Sequence, residues 1–151
     1  MIIKPDDLAA PEIASFLEQH ILDMAAITPP ESMHALNLEE LRQADIYFWT
    51  AWEEERLIAT GAIKLLDPTH GEIKSMRTCL SVRGQGVASD MLNYMMQQAV
   101  VMGLKRLSLE TGSKDFFLPA RKLYEKFGFE YCEPFADYWA DPLSVFMTRQ
   151  L

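Results

Sequence analysis

The chain has 151 residues, of which 49% are hydrophobic and 24% charged, and its formal net charge is −8. That length fits one domain, residues 1–151, with a full core and no need of disulfide or metal staples. No apolar run is long enough to cross a bilayer, and no concentrated basic face is visible for a nucleic-acid backbone, so neither a membrane nor a nucleic acid is expected as a partner.

MIIK predicts a short first strand, and MIIKPDDL has no apolar stretch followed by a small-residue cleavage site, which makes the cytoplasm the expected location. From Ala10 to Ala26, the residues Ile13, Phe16, Leu17, Ile21 and Met24 recur at helical spacing until Thr28-Pro29-Pro30 ends the run. The loop ESMHAL leads to a short helix, where Asn37 and Glu40 resemble a capping box. The period then changes to that of strands. Residues 46–52, 56–66 and 72–79 predict an antiparallel meander, with Glu53-Glu54-Glu55 and Asp67-Pro68-Thr69-His70-Gly71 as its turns. Val87, Met91, Leu92, Met95, Ala99 and Met102 mark a helix that Gly103 stops. Residues 105–110 read as a strand, and residues 119–127 as a helix with Ala120, Leu123, Tyr124 and Phe127 on one face and Gly128 as its stop. FEYCEPF and SVFMTRQL are the final strands. A meander followed by helix, strand, helix and strands gives a mixed α+β chain.

Cys79 and Cys132 fall in predicted strands far apart in sequence, without CxxC spacing, and are expected to be buried free thiols. His20, His34 and His70 show no paired spacing, so no metal site is expected.

The stretch SVRGQGVASDM, residues 81–91, places two glycines where a strand turns into a helix. Such a turn either lets backbone N–H groups close on an anion, with Arg83 as countercharge, or is a plain turn and helix cap. A P-loop would need GxxxxGK followed by Ser or Thr, which is absent. A dinucleotide fingerprint would need Gly or Ala where Ser89 stands, after a parallel strand and not a meander. On the meander's third strand, Glu72, Lys74, Met76 and Thr78 share one predicted face, and Ile73, Ser75, Arg77 and Cys79 the other.

Arg83-Gly84-Gln85-Gly86-Val87-Ala88 matches the Arg/Gln-x-x-Gly-x-Gly/Ala signature of the GNAT N-acetyltransferase superfamily, and Ala120 to Phe129, ARKLYEKFGF, resembles that family's AxxLYxxxGF segment. The two stand in the family's order with the expected helix and strand between them. The resemblance implies a twisted, mostly antiparallel sheet of about seven strands with about four helices, splayed between the fourth and fifth strands. It also implies that acetyl-CoA is held in the splay, with its pyrophosphate on the N–H groups from Arg83 to Ala88. Tyr124, otherwise an aromatic core residue at helical spacing, becomes the general acid toward the departing thiolate. Glu72 becomes the candidate base, with Glu110 as its rival. The N–H of Met76 or Thr78 would polarise the thioester carbonyl.

His34, in the loop that closes over the acceptor in such proteins, and Tyr138, in ADYWADP, are candidates for the acceptor wall. Two residues depart from the pattern: Leu80 stands for a frequent proline, and Phe117 for a frequent asparagine that touches the cofactor. The expected activity is transfer of acetyl from acetyl-CoA to a primary amine of a small molecule or peptide, by direct attack in a ternary complex and without a metal. The acidic loops at Glu31, Asp137 and Asp141 lean toward a cationic amine. The alternative is a non-catalytic acyl-CoA sensor. Trp, Phe and Met side chains leave a homodimer open.

Overall fold

The computed structural model describes residues 1–151. Chain-local chemistry explains most element boundaries. The first strand, β1 (Ile2–Pro5), is followed by α1 (Pro11–Ala25), which begins with a proline in its first turn, where the missing N–H costs nothing. A 3₁₀ turn (Pro30–Ser32) leads to α2 (Leu38–Leu41), and here the Asn37–Glu40 capping box forms in both directions. Strands β2 (Ile46–Glu53), β3 (Arg56–Asp67) and β4 (His70–Thr78) make the meander. The β3–β4 turn is tighter than the sequence suggests. Asp67 Oδ1 accepts from the N–H of Thr69 at 2.8 Å, closing the turn locally, so His70 and Gly71 already belong to β4.

A second 3₁₀ turn (Leu80–Val82) precedes α3 (Val87–Val101), then come β5 (Arg106–Gly112), a third 3₁₀ turn (Asp115–Phe117), α4 (Leu118–Lys126), β6 (Glu130–Cys132) and β7 (Ser144–Gln150). Gly103 and Gly128, at φ +86° and +85°, end α3 and α4 in the left-handed conformation that releases a chain from a helix.

The seven strands form one sheet in the order β1-β2-β3-β4-β5-β7-β6, antiparallel at every neighbour except the parallel β4–β5 pair. Ile58, Ile63, Met91, Leu92, Met95, Leu107, Leu109 and Met147 form the larger core between α3, α4 and one face of the sheet. Leu8, Ile13, Leu17, Leu41, Phe48 and Ala62 form the smaller one under α1 and α2 on the other face. Gly61 leaves the space that Met95 of α3 fills, since a β-carbon there would collide with the methionine sulfur.

Two features of β4 make the site. First, it pairs with β5 only from His70–Arg106 to Glu72–Ser108, and beyond these pairs both strands continue without joining, so the sheet splays. Second, β4 carries a bulge. Thr60 pairs with Arg77 and Ala62 with Lys74, so three steps on β4 oppose two on β3, and Ser75 sits at φ +55°. Thr60, fully buried, donates its hydroxyl to the Ser75 carbonyl at 2.8 Å and pins the distortion.

The bulge corrects the alternation expected from sequence. Arg77, not Met76 or Thr78, shares the face of Glu72 and Lys74, while Met76 turns to the α3 side and packs into the larger core. Both cysteines are also half-buried and not buried, because Cys79 lies just past the end of β4 and Cys132 at the last residue of β6.

Candidate active site

At the start of α3 the chain makes a cradle. Gly84 and Gly86 both adopt φ near +80°, and a β-carbon built on either would meet nothing within 4 Å, so the space above them is open. The first N–H groups of a helix have no partner within it. Here the N–H groups of Gly84, Gly86, Val87, Ala88 and Ser89 have no backbone acceptor, and the first bond of the helix runs from Asp90 N to Gly86 O. Five oriented donors at a helix N-terminus, with the Arg83 side chain on the same cavity wall, suit an anion of the size of a pyrophosphate.

Two residues of the sequence motif stand apart from this set. The N–H groups of Arg83 and Gln85 are engaged at 3.3 Å with the carbonyls of Leu80 and Val82, closing the turn. Gln85 does not line the cavity, and its amide points back to Ser81 O at 3.4 Å. Ser89, which the motif does not include, takes its place among the free donors. Sequence spacing cannot separate N–H groups that close a turn from those the turn leaves free.

From the cradle a cavity of about 610 Å³ runs along the splay between β4 and β5 to a second region under α1 and the loop after it. Met76, Thr78, Val87 and Ala88 line it near the cradle, Tyr124 and Glu110 in the gap, and His34 and Glu72 at the far end. Tyr138 does not reach it. Phe117, 8% exposed, covers Gly112, whose missing side chain makes room for the ring, and presents an apolar wall where the family pattern has an amide.

The carboxylates differ sharply. Glu72 is 3% exposed, and one of its oxygens, Oε2, carries two contacts: the Tyr138 hydroxyl donates to it, and Lys74 Nζ lies 3.3 Å away. Lys74 Nζ also donates to Tyr138 Oη and to His34 O, both at 2.9 Å, so its three N–H bonds are committed. This buried knot joins β4 to the two loops at the far end. Burial and the Glu72 charge hold the Tyr138 phenol in its protonated form. The His34 ring packs edge-on against Tyr138 at 4.8 Å and Trp139 at 5.5 Å, and burial with nearby Lys74 keeps it neutral by lowering its pKa.

Glu110, in the gap on β5, is half-buried, and burial pushes its pKa up to about 7. Ser144 Oγ of β7 is buried without a partner of good hydrogen-bond geometry, yet it lies close enough to Glu110 to favour the charged form. Tyr124, 5% exposed, packs against Phe129 at 5.7 Å. Burial, with the Glu110 charge second, raises its pKa, so the phenol keeps its proton.

Among the titratable residues that line the cavity, sequence reasoning missed four, His20, Asp23, Lys74 and Arg77. The first two come from α1, and only a charged residue inside a strand, twice on β4, was available as a signal for the others. Glu31, Asp137 and Asp141 do not line the cavity, and Asp141 is occupied by Ser32 Oγ and the N–H of Leu143. The acidic loops therefore carry no argument about the acceptor.

A mostly antiparallel sheet splayed at its one parallel pair, with a donor cradle at the mouth of the gap, defines an acyl-group transferase fold. Residues 13–129 match the model of the acetyltransferase (GNAT) family, and the chain belongs to that family and is an acetyltransferase. It is 55% identical, over all of both chains, to a Bacillus subtilis (strain 168) protein named as an uncharacterized N-acetyltransferase, YsnE. It is 48% identical to the Escherichia coli (strain K12) protein YedL, similarly named, across 99% of this chain and 94% of that one. Its fold is similar to that of an aminoglycoside 6'-N-acetyltransferase complexed with coenzyme A, at TM-score 0.72 and 18% identity, covering 99% and 97% of the two chains.

Proposed function

We propose that the whole chain acts as one domain that moves acetyl from acetyl-CoA to the primary amine of a small molecule or peptide, by direct attack with both substrates bound. The observation that carries this is the single cavity joining the five-donor cradle to Tyr124 and Glu110 through the β4–β5 gap. Acetyl-CoA, when bound, supplies an activated thioester. Gly84, Gly86, Val87, Ala88 and Ser89 hold its phosphates through their N–H groups, Arg83 adds charge, and Met76 and Thr78 border the gap where the carbonyl is polarised.

Glu110 takes the proton that the ammonium must lose before its nitrogen can attack; a carboxyl near pKa 7 is suited to this at neutral pH. The C–N bond forms, the C–S bond breaks and the sulfur leaves with its electron pair, while the second proton that the nitrogen sheds in becoming an amide restores the Tyr124 hydroxyl. Tyr124 donates its hydroxyl to that sulfur. Its raised pKa makes the hydrogen bond to developing charge the larger part of the effect, with full proton transfer following as the thiol forms. Glu72 takes a different part from the one its position suggested. Tied to Lys74 and Tyr138, it holds the wall on which His34 and Tyr138 sit.

The test is release of free CoA thiol on adding amines, amino acids and peptides to protein with acetyl-CoA. Amine-dependent release with one acetylated product per thiol supports the reading. Cofactor binding without release from any acceptor class would indicate a sensor and overturn it.

A further inference from the structure

Arg77 reaches the cavity from β4, on the face of Glu72 and Lys74 that the bulge creates. Its Nη1 donates to Asp23 of α1 at 2.9 Å, its guanidinium carbon lies 5.2 Å from the centre of the Phe16 ring, and its side chain is only 14% exposed. A bridge between helix and strand would account for all of this but one thing: Nε is buried and has no hydrogen-bond partner. Nη2, on the same edge of the planar guanidinium as Nε, makes no hydrogen bond either, whereas Nη1 is on the other side. One complete edge, two parallel N–H groups at the spacing of a carboxylate's oxygens, is therefore unused, and because Nε is closed off from solvent a ligand meets both donors once the side chains packed over Nε give way.

The other cations of the cavity are spoken for. Lys74 has committed its three N–H bonds, and Arg83 stands at the phosphate cradle. His20 beside Arg77 is neutral at pH 7, because burial and the Arg77 charge lower its pKa to about 4. A buried cationic donor left unpaired is destabilising, and no protein group satisfies this one.

We propose that the acceptor is an amino acid, whose carboxylate docks side-on against the Nε and Nη2 edge of Arg77 while its amine faces the β4–β5 gap. Arg77 then serves two carboxylates on two edges, Asp23 fixing the guanidinium and the substrate completing it. Lys could not do this, having no planar fork. The proposal rests on the acetyl-transfer reading above but concerns a separate group of the acceptor.

The test pairs acids with their carboxamides: L-leucine, L-methionine, L-phenylalanine and L-glutamate against the corresponding amino amides. Each is titrated calorimetrically into the CoA-loaded protein and separately assayed for thiol release with acetyl-CoA. At least one acid is expected to bind about tenfold or more tightly than its amide, since the amide offers the fork only one acceptor and no charge. Arg77→Met should remove that preference and leave CoA affinity within about twofold, as the cradle lies elsewhere. Arg77→Lys, which keeps the charge and the stem, should reduce the preference at least about threefold and keeps the test valid if the Met variant does not fold. Amides binding as well as acids in every pair, or an acid preference that survives both substitutions, would overturn the proposal. Thiol release from amines regardless of a carboxylate would leave acetyl transfer standing and remove this inference. Arg77-dependent acid binding with no thiol release would do the reverse.

Discussion

Glu110 and Tyr124 occupy one low-dielectric gap, where burial raises both pKa values and the Glu110 charge adds to the rise at Tyr124, so their protonation states set the pH behaviour of the reaction. With Glu110 near pKa 7, kcat/KM should fall as pH drops below about 7, where the carboxyl holds its proton. Glu110→Gln should lose that acidic limb and about 10²-fold or more in rate, while acetyl-CoA affinity stays near that of the parent. The same group acts on stability in a defined direction. Its folded pKa lies above the ordinary value of 4.5, so its contribution is fully present below about 4.5 and is lost as pH rises through about 7. Glu110→Gln should therefore melt higher than the parent at pH 8, by on the order of 1–3 kcal/mol, with the gap closing near pH 4.5. An unaltered pH–rate profile, with melting curves that do not converge, would remove Glu110 from the proton path. Tyr124→Phe is the companion test. The ring and its packing on Phe129 are kept, so melting and acetyl-CoA binding should change little, while kcat falls about 10²- to 10⁴-fold. A drop in melting temperature with full turnover would make Tyr124 a core residue only.

Among the elements, β4 carries the most. Its bulge converts an alternating strand into one that sends Lys74 and Arg77 to the same face, and the residue at its centre, Ser75, holds a left-handed angle of +55° without being glycine. Strain of that kind costs about 1–3 kcal/mol, and Thr60 helps to hold it through the 2.8 Å bond to the Ser75 carbonyl. Ser75→Gly should melt at or above the parent temperature with activity retained, because glycine adopts the angle freely. Ser75→Val should lose about 1–3 kcal/mol and a larger share of kcat/KM, as relaxing the bulge returns Arg77 to the other face. Equal melting of the two variants would show that the angle is not a constraint. This element also marks where the sequence stops being legible. The strands and long helices follow from local periodicity and glycine stops, and the cradle from a local motif. A bulge at serine is decided by the register with β3, which no local pattern records. The knot of Glu72, Lys74 and Tyr138 and the Arg77–Asp23 pair join residues distant in sequence, so they emerge only when the sheet assembles.

For the molecule as a whole, a net charge of −8 must be reconciled with a cradle for a polyanion. The answer lies in range. Five N–H groups and Arg83 act at contact distance, where salt screens them little, while the net charge acts over a Debye length that shrinks from about 30 Å at 0.01 M salt to about 8 Å at 0.15 M. At low salt an approaching acetyl-CoA meets the repulsive field of the whole protein before it reaches the donors. Its association rate should therefore rise with salt, about two- to fivefold between 10 and 150 mM, the reverse of a ligand drawn in by opposite charge. Dissociation should change less, because it reports the contacts in the cradle. Gly86→Val should leave the association trend intact and weaken binding strongly. A branched side chain cannot hold the +81° angle without strain, and it would fill the open space over the turn where the phosphates sit. Arg83→Ala should cost roughly 1–3 kcal/mol of affinity, mostly through faster dissociation. Stopped-flow binding across a salt series measures all three. An association rate that falls steadily with added salt would mean that Arg83 and the cradle dominate the field at encounter as well as at contact, and that the net charge sets no barrier to the cofactor's approach.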